Sequence, residues 1–82
     1  GIYKGYWESG KYHGDGEFVF NNGRIYKGKW KNGFYDGYGR FSLNNGSYFI
    51  GDWKENREWN ITKFDSNGEI IKKWVQGEKI NN

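Results

Sequence analysis

At 82 residues the chain has room for one domain with a thin stability margin; with 34% hydrophobic but 22% aromatic residues and 14 glycines, its buried surface must come from Trp, Tyr and Phe, which excludes a Leu/Ala helical core. Cysteine, methionine and proline are absent, which removes any disulfide framework or thiolate metal site. A formal charge of +3 spread over interspersed signs predicts weak attraction to nucleic acid or anionic lipid, and no apolar stretch approaches the roughly 20 residues of a membrane span. No signal peptide or lipidation motif is legible, so a soluble chain of undetermined compartment is expected.

In chain order, Tyr3-Lys-Gly-Tyr-Trp7 is followed 23 positions later by Tyr26-Lys-Gly-Lys-Trp30, and 23 later again by Phe49-Ile-Gly-Asp-Trp53. Between them, residues 8–23 and 31–46 repeat the same chemistry and both end in Asn-Asn-Gly. Such a period implies a stacked array of identical supersecondary units, none able to bury its apolar side alone. Each unit reads as a β-hairpin, because alternating aromatic runs flank a polar, Gly-containing turn. A three-residue loop at Asn21-Asn22-Gly23 sets Phe20 against Arg24, Phe18 against Tyr26, Gly16 against Gly28 and Gly14 against Trp30. A two-residue loop would pair Phe20 with Ile25 and scatter the rings over both faces, so the longer loop is preferred.

This register gathers Tyr3, Gly5, Trp7, Gly14, Gly16, Phe18, Tyr26, Gly28, Trp30, Gly37, Gly39, Phe41, Phe49, Gly51 and Trp53 on one face. Rings alternate there with glycines, each glycine leaving a slot in which a ring lies flat over backbone. The third unit departs from the pattern, with Asn60, Thr62 and Lys72 where glycine is expected. Phe64 to Ile70 is two residues shorter than Phe18 to Tyr26, an even number, which is expected to keep Phe64, Ile70 and Trp74 on the aromatic face. Residues 54–82 read as a cap that protects the last strand, the alternative being plain drift. The expected architecture is therefore one all-β domain over residues 1–82, a single-layer twisted antiparallel meander of three stacked β-hairpin repeats: repeat one 3–25, repeat two 26–48, and a degenerate repeat with C-terminal cap 49–82.

The strings YKGYWESGKYHGDGEF and YKGKWKNGFYDGYGRF resemble the MORN (membrane occupation and recognition nexus) repeat, approximately Tyr-x-Gly-x-Trp-x-x-Gly-x-x-x-Gly-x-Gly. The likeness covers residues 3–48 well, residues 49–64 through Phe49, Gly51, Trp53 and Phe64, and the rest faintly through Trp74 and Gly77. It implies an elongated meander of hairpins and a non-catalytic module used for protein association and scaffolding, proposed in some members to touch phospholipids. Its defining positions read as fold residues, so they carry architecture across and little function.

No constellation of residues suggests catalysis, and no cofactor or metal is expected. His13 is the lone histidine, replaced by Asp36 and Trp59 in the other units, and reads as a loop residue beside a strand start. Gly14-Asp15-Gly16 and Gly37-Tyr38-Gly39 lack the following helix of a phosphate loop. Asn45-Gly46-Ser47 and Asn60-Ile61-Thr62 are formal glycosylation sequons that chance explains in an Asn-rich chain.

The face opposite the rings is more informative, carrying Lys4, Tyr6, Val19, Ile25, Lys27, Lys29, Tyr38, Arg40, Tyr48, Ile50, Ile61, Lys63, Ile71, Lys73 and Val75. Half-apolar rows suit a protein partner or a homodimer; strand propensity with Lys stems as cover explains them equally well. The leading expectation is a protein-interaction or scaffolding module, self-association included. Second comes peripheral binding to an anionic lipid surface through Lys4, Lys27, Lys29 and nearby tyrosines. A choline-type aromatic cage lacks its adjacent Trp-Tyr-Tyr run, and nucleic acid is an unlikely partner because rings lying over glycines are not free to stack on bases.

Overall fold

Period-two alternation interrupted by polar turns produces strands and, among the described residues, no helix. The computed structural model describes residues 1–80; Asn81 and Asn82, the end of the expected cap, lie outside the described residues. Eight strands follow one another: β1 (Ile2–Glu8), β2 (Lys11–Val19), β3 (Ile25–Lys31), β4 (Phe34–Ser42), β5 (Tyr48–Lys54), β6 (Arg57–Phe64), β7 (Ile70–Val75) and β8 (Glu78–Ile80). All belong to one antiparallel sheet in chain order, without a crossover. The molecule measures 42 × 26 × 15 Å, a thickness that accommodates one sheet with its side chains. Among the described residues no helix is long and apolar enough to cross a membrane.

Two turn types alternate along the chain. Three-residue loops join the units: Phe20 N–H donates to Arg24 O at 2.8 Å, Leu43 N–H to Ser47 O at 2.9 Å and Asp65 N–H to Glu69 O at 2.8 Å. Each loop ends on a left-handed glycine, Gly23, Gly46 or Gly68. The resulting register sets Gly14 against Trp30, Gly16 against Gly28 and Phe18 against Tyr26, as the sequence predicts. Within units the turns are two residues long, with both positions at positive φ: Ser9-Gly10, Asn32-Gly33, Glu55-Asn56 and Gln76-Gly77.

The core lies on one face only. Tyr26 is 0% exposed, Ile61 2%, Trp30 5% and Trp53 6%. A Cβ at Gly16 would fall inside the Tyr3 phenol and one at Gly39 inside the Tyr26 phenol, so the rings do lie over glycine backbone. The hydroxyls then reach main chain, Tyr3 donating to Tyr6 O at 2.8 Å and Tyr26 to Lys29 O at 3.0 Å. Indole N–H groups lock neighbouring units: Trp30 donates to Gly16 O and Trp53 to Gly39 O, each at 3.1 Å. Tyr12 and Tyr35 join the core by stacking on Tyr3 and Tyr26, at 3.8 and 4.5 Å between centroids. The third unit has Glu58 at that position, and its stack is missing.

Two bulges change what the third unit presents. In the first hairpin, three residues, His13 to Asp15, face Tyr6 alone; in the second, Asp36 to Tyr38 face Lys29. Left-handed Gly14 and Gly37 (φ 73° and 96°) make those turns within the strand, and two extra residues leave the alternation of faces intact. Asn60 replaces the glycine in the third unit and is not left-handed; there Trp59 alone is extra, and the faces exchange. Phe64 consequently pairs with Tyr48, and Ile70 with Phe64, on the face away from the core, contrary to expectation. Lys63 moves the other way, its ammonium 5.1 Å above the Phe49 ring, and Ile61 enters the core. A second single-residue bulge, at Ile71, restores Trp74 to the core face beside Phe49. Gly14 and Gly37 need the same correction: a side chain there would point to Tyr6 and Lys29 on the other face.

Burial raises the phenol pKa of Tyr3, Tyr26 and Tyr35 above the usual tyrosine value, desolvation being the main cause in each. Below about pH 10 these phenols are protonated in both folded and unfolded chains, so their contribution to stability is complete there. Above it the unfolded chain ionises first, and Tyr26, fully buried and still protonated in the fold, should remove about 1.4 kcal/mol of stability per pH unit, with smaller losses from the more exposed Tyr3 and Tyr35. Chemical denaturation at pH 9, 10 and 11 should show a flat response followed by a steep fall; constant stability to pH 11 would contradict the burial argument.

Candidate functional site

The face away from the core is built from cross-strand rows, each position facing its neighbour across the pleat. One row is almost wholly apolar: Ile2, Val19, Ile25, Ser42, Tyr48, Phe64 and Ile70 pair in succession from β1 to β7. At about 4.8 Å between strands it extends about 29 Å along the sheet. Its two ends are exposed, Ile2 by 64% and Ile70 by 57%, while the central members are half-buried. The Trp59 bulge serves this row, since it turns Phe64, and with it the paired Ile70, outward.

Beside it runs a mixed row, Lys4, Glu17, Lys27, Arg40, Ile50, Thr62 and Lys73. Where the rows touch, the Arg40 guanidinium lies 4.1 Å from the Tyr48 ring centre, and Tyr48 stacks on Phe64 at 5.1 Å with planes 19° apart. Arginine over a ring that is itself stacked on a second ring makes an ordered, half-buried aromatic pair with a cationic cover at the middle of the face. Farther across, the Lys29 ammonium is 2.8 Å from an Asp15 carboxylate oxygen, and Asp52 pairs with Tyr38. Tyr6 and Tyr38 stand out at 69% and 62% exposure.

Of the residues singled out in the sequence for this face, Lys4, Tyr6, Val19, Ile25, Lys27, Lys29, Tyr38, Arg40, Tyr48, Ile50 and Lys73 lie on it, whereas Ile61 and Lys63 face the core side. Ile2, Phe64 and Ile70 belong to it without having been anticipated. The signal for the last two was Asn60, whose lost glycine removes the left-handed bulge that keeps parity.

The residues at the His13 position of each unit make structural contacts. His13 Nε2 is 3.0 Å from a Glu8 carboxylate oxygen at the surface. Asp36, at the equivalent position, accepts the Glu55 N–H at 3.1 Å, and Trp59 lies under the Lys54 ammonium at 4.3 Å. Both sequon asparagines act as acceptors, Asn45 from Ser47 and Asn60 from the Gln76 N–H at 3.0 Å. Among the described residues no group of three His, Asp or Glu side chains gathers as a metal site. Compared with known proteins, the chain matches no protein-family model and no curated protein.

Proposed function

We propose that this chain is a non-catalytic protein-interaction module of MORN-repeat type, and that its ligand surface is the uncovered face. The observation that supports this reading is the apolar row from Ile2 to Ile70, continuous across seven strands, with the Arg40–Tyr48–Phe64 stack at its centre. Tyrosine and arginine clustered in rigid, water-poor surroundings are what tight protein contacts use, and the flanking Lys4, Lys27 and Arg40 favour an acidic margin on the partner. A second copy of the chain is one such partner.

Ile2→Glu together with Ile70→Glu tests the assignment, because both side chains are exposed and their replacement should change stability by no more than about 0.5 kcal/mol. The double variant should lose the partners that the parent chain retains from its native source, and any dimer seen by light scattering. Retention of the same partners by the folded variant would sink this reading; a parent chain that stays monomeric at high concentration would remove self-association from it.

Peripheral binding to acidic phospholipid is the second reading, supported by the row Lys4, Lys27 and Arg40. Glu17 lies between the two lysines and Asp15 pairs Lys29, which leaves about two net charges, worth about 2 kcal/mol near an anionic surface. Contact of that strength is transient. Salt-sensitive co-sedimentation with anionic vesicles, lost in Lys27→Glu, is its signature, and equal binding to neutral vesicles counts against it.

A further inference from the structure

The first two junctions between units use the same contacts. At the first, Trp30 Nε1–H donates to Gly16 O at 3.1 Å, the Gly33 N–H to Tyr12 O at 3.0 Å, and the Trp30 ring stands edge-on to Tyr3 and Tyr12, 5.3 Å from each. The second repeats them: Trp53 Nε1–H to Gly39 O at 3.1 Å, Asn56 N–H to Tyr35 O at 3.0 Å, and the Trp53 ring edge-on to Tyr26 and Tyr35 at 6.0 and 5.2 Å. Across these two junctions glycine faces glycine, Gly16 with Gly28 and Gly39 with Gly51, and a glycine faces each Trp, Gly14 with Trp30 and Gly37 with Trp53; the β6–β7 junction lacks both, with Ile61 facing Trp74.

The outer edge of β1 carries the receiving half of this set, with Gly5, Trp7 and Gly10 equivalent to Gly28, Trp30 and Gly33. Among the described residues nothing pairs with that edge. Trp7 is 59% exposed, against 5% and 6% for the Trp residues that have a unit before them.

We propose that the β1 edge is a binding site for an extended strand of another polypeptide carrying the pattern Gly-x-Gly-x-aromatic, added antiparallel to the sheet. In this arrangement the first glycine faces Trp7, the second faces Gly5 and offers its carbonyl to the Trp7 indole N–H, and the aromatic faces Tyr3. The Gly10 N–H takes a carbonyl of the same hairpin. Strand addition supplies main-chain hydrogen bonds, and the glycine spacing supplies selectivity.

A second copy of this chain does not meet the requirement. β2 and β4 have the pattern, but both of their edges are already paired. The other open edge, β8, is three residues long, Glu78-Lys79-Ile80, and contains no glycine. Laying β1 antiparallel on itself about Gly5 sets Tyr3 against Trp7, where the first two junctions have glycine. No described strand of this chain therefore meets the requirement, and the site is an edge, separate from the face proposed above.

The probe is a synthetic peptide of residues 26–48, which carries Gly37-x-Gly39-x-Phe41. Titrated to about millimolar into isotope-labelled chain, it should give saturable shifts at the Trp7 indole N–H and at amides of residues 2–10, and slow exchange at the Gly10 amide. Trp7→Ala, whose side chain is exposed and whose fold should persist, is expected to weaken binding at least about tenfold through the lost hydrogen bond and edge-on ring contacts. Ile70→Glu, on the face, should bind the peptide like the parent chain, which separates this outcome from that of the face reading. Absence of saturable shifts at millimolar peptide, shifts confined to other strands, or unchanged affinity in Trp7→Ala would each overturn the proposal.

Discussion

Trp53→Ala should destabilise the chain by about 3–5 kcal/mol, the range for deleting a large buried ring. Trp53 is 6% exposed, lies within 6.0 Å of Tyr26, Tyr35, Phe41 and Phe49 between centroids, and donates its indole N–H to Gly39 O. A domain of this size has about 4–12 kcal/mol in total, so the substitution removes a large part of the margin and should lower Tm by about 15–30 °C. The geometry also fixes where the damage goes. Trp53 joins the third unit to the second, and in a linear array each unit is held by its neighbours. Hydrogen exchange should therefore rise first in β5 to β8, with β1 to β4 retaining protection. Trp7→Ala is the control: its ring is exposed, and it should cost no more than about 1 kcal/mol. Equal losses for the two substitutions would mean that burial on the aromatic face is not what holds the sheet.

Most of the fold is legible in the sequence wherever turn chemistry and parity agree. Asn21-Asn22-Gly23 determines the loop length, the loop length determines that Phe18 meets Tyr26, and every later pair in that hairpin follows from counting. Tyr12 and Tyr35 obey the same even count as Gly16 and Gly39, so their places in the core were available from parity too. Counting fails at Trp59 and Ile71. A single extra residue in a strand leaves no mark on composition or propensity, yet it exchanges the faces of everything beyond it until another compensates. Asn60 is the physical cause: without a glycine to adopt the left-handed turn of Gly14 and Gly37, the strand accommodates one extra residue instead of two. Its side chain then accepts the Gln76 N–H, helping to hold the following hairpin.

The candidate face depends on that single change. With Phe64 inward, as simple repetition would have it, the apolar row would end at Tyr48, and the Tyr48 ring under Arg40 would have no second ring to stack on. The charge pairs follow from the same count. Lys27 and Lys29 project together, as alternation requires, and the register that sets Gly16 against Gly28 stands Glu17 and Asp15 directly opposite them. This is why the protein-partner reading gains from the geometry and the lipid reading loses.

Gly39→Ala should cost about 3 kcal/mol, although Gly39 has ordinary extended backbone. Its added Cβ would fall within the phenol of Tyr26, and Tyr26 is 0% exposed, bonded to Lys29 O and stacked on Tyr35, so the ring has nowhere to go. Gly33→Ala is the instructive contrast. Gly33 sits at φ 88°, where an L side chain is strained, but open space surrounds the site, so the expected cost is the backbone strain of about 1–2 kcal/mol. Gly16→Ala should fall below Gly39→Ala: its Cβ meets the Tyr3 phenol in the same way, but Tyr3 lies on the open edge strand and is only half-buried, so its ring can swing toward solvent. Urea denaturation of the three variants should rank Gly39→Ala as the most damaging, and Tyr3→Ala should abolish the clash contribution at Gly16 in a double-mutant cycle. If Gly33→Ala proved the most costly, the glycines of this repeat would be serving the turns alone, and the picture of rings seated on glycine backbone would have to be given up.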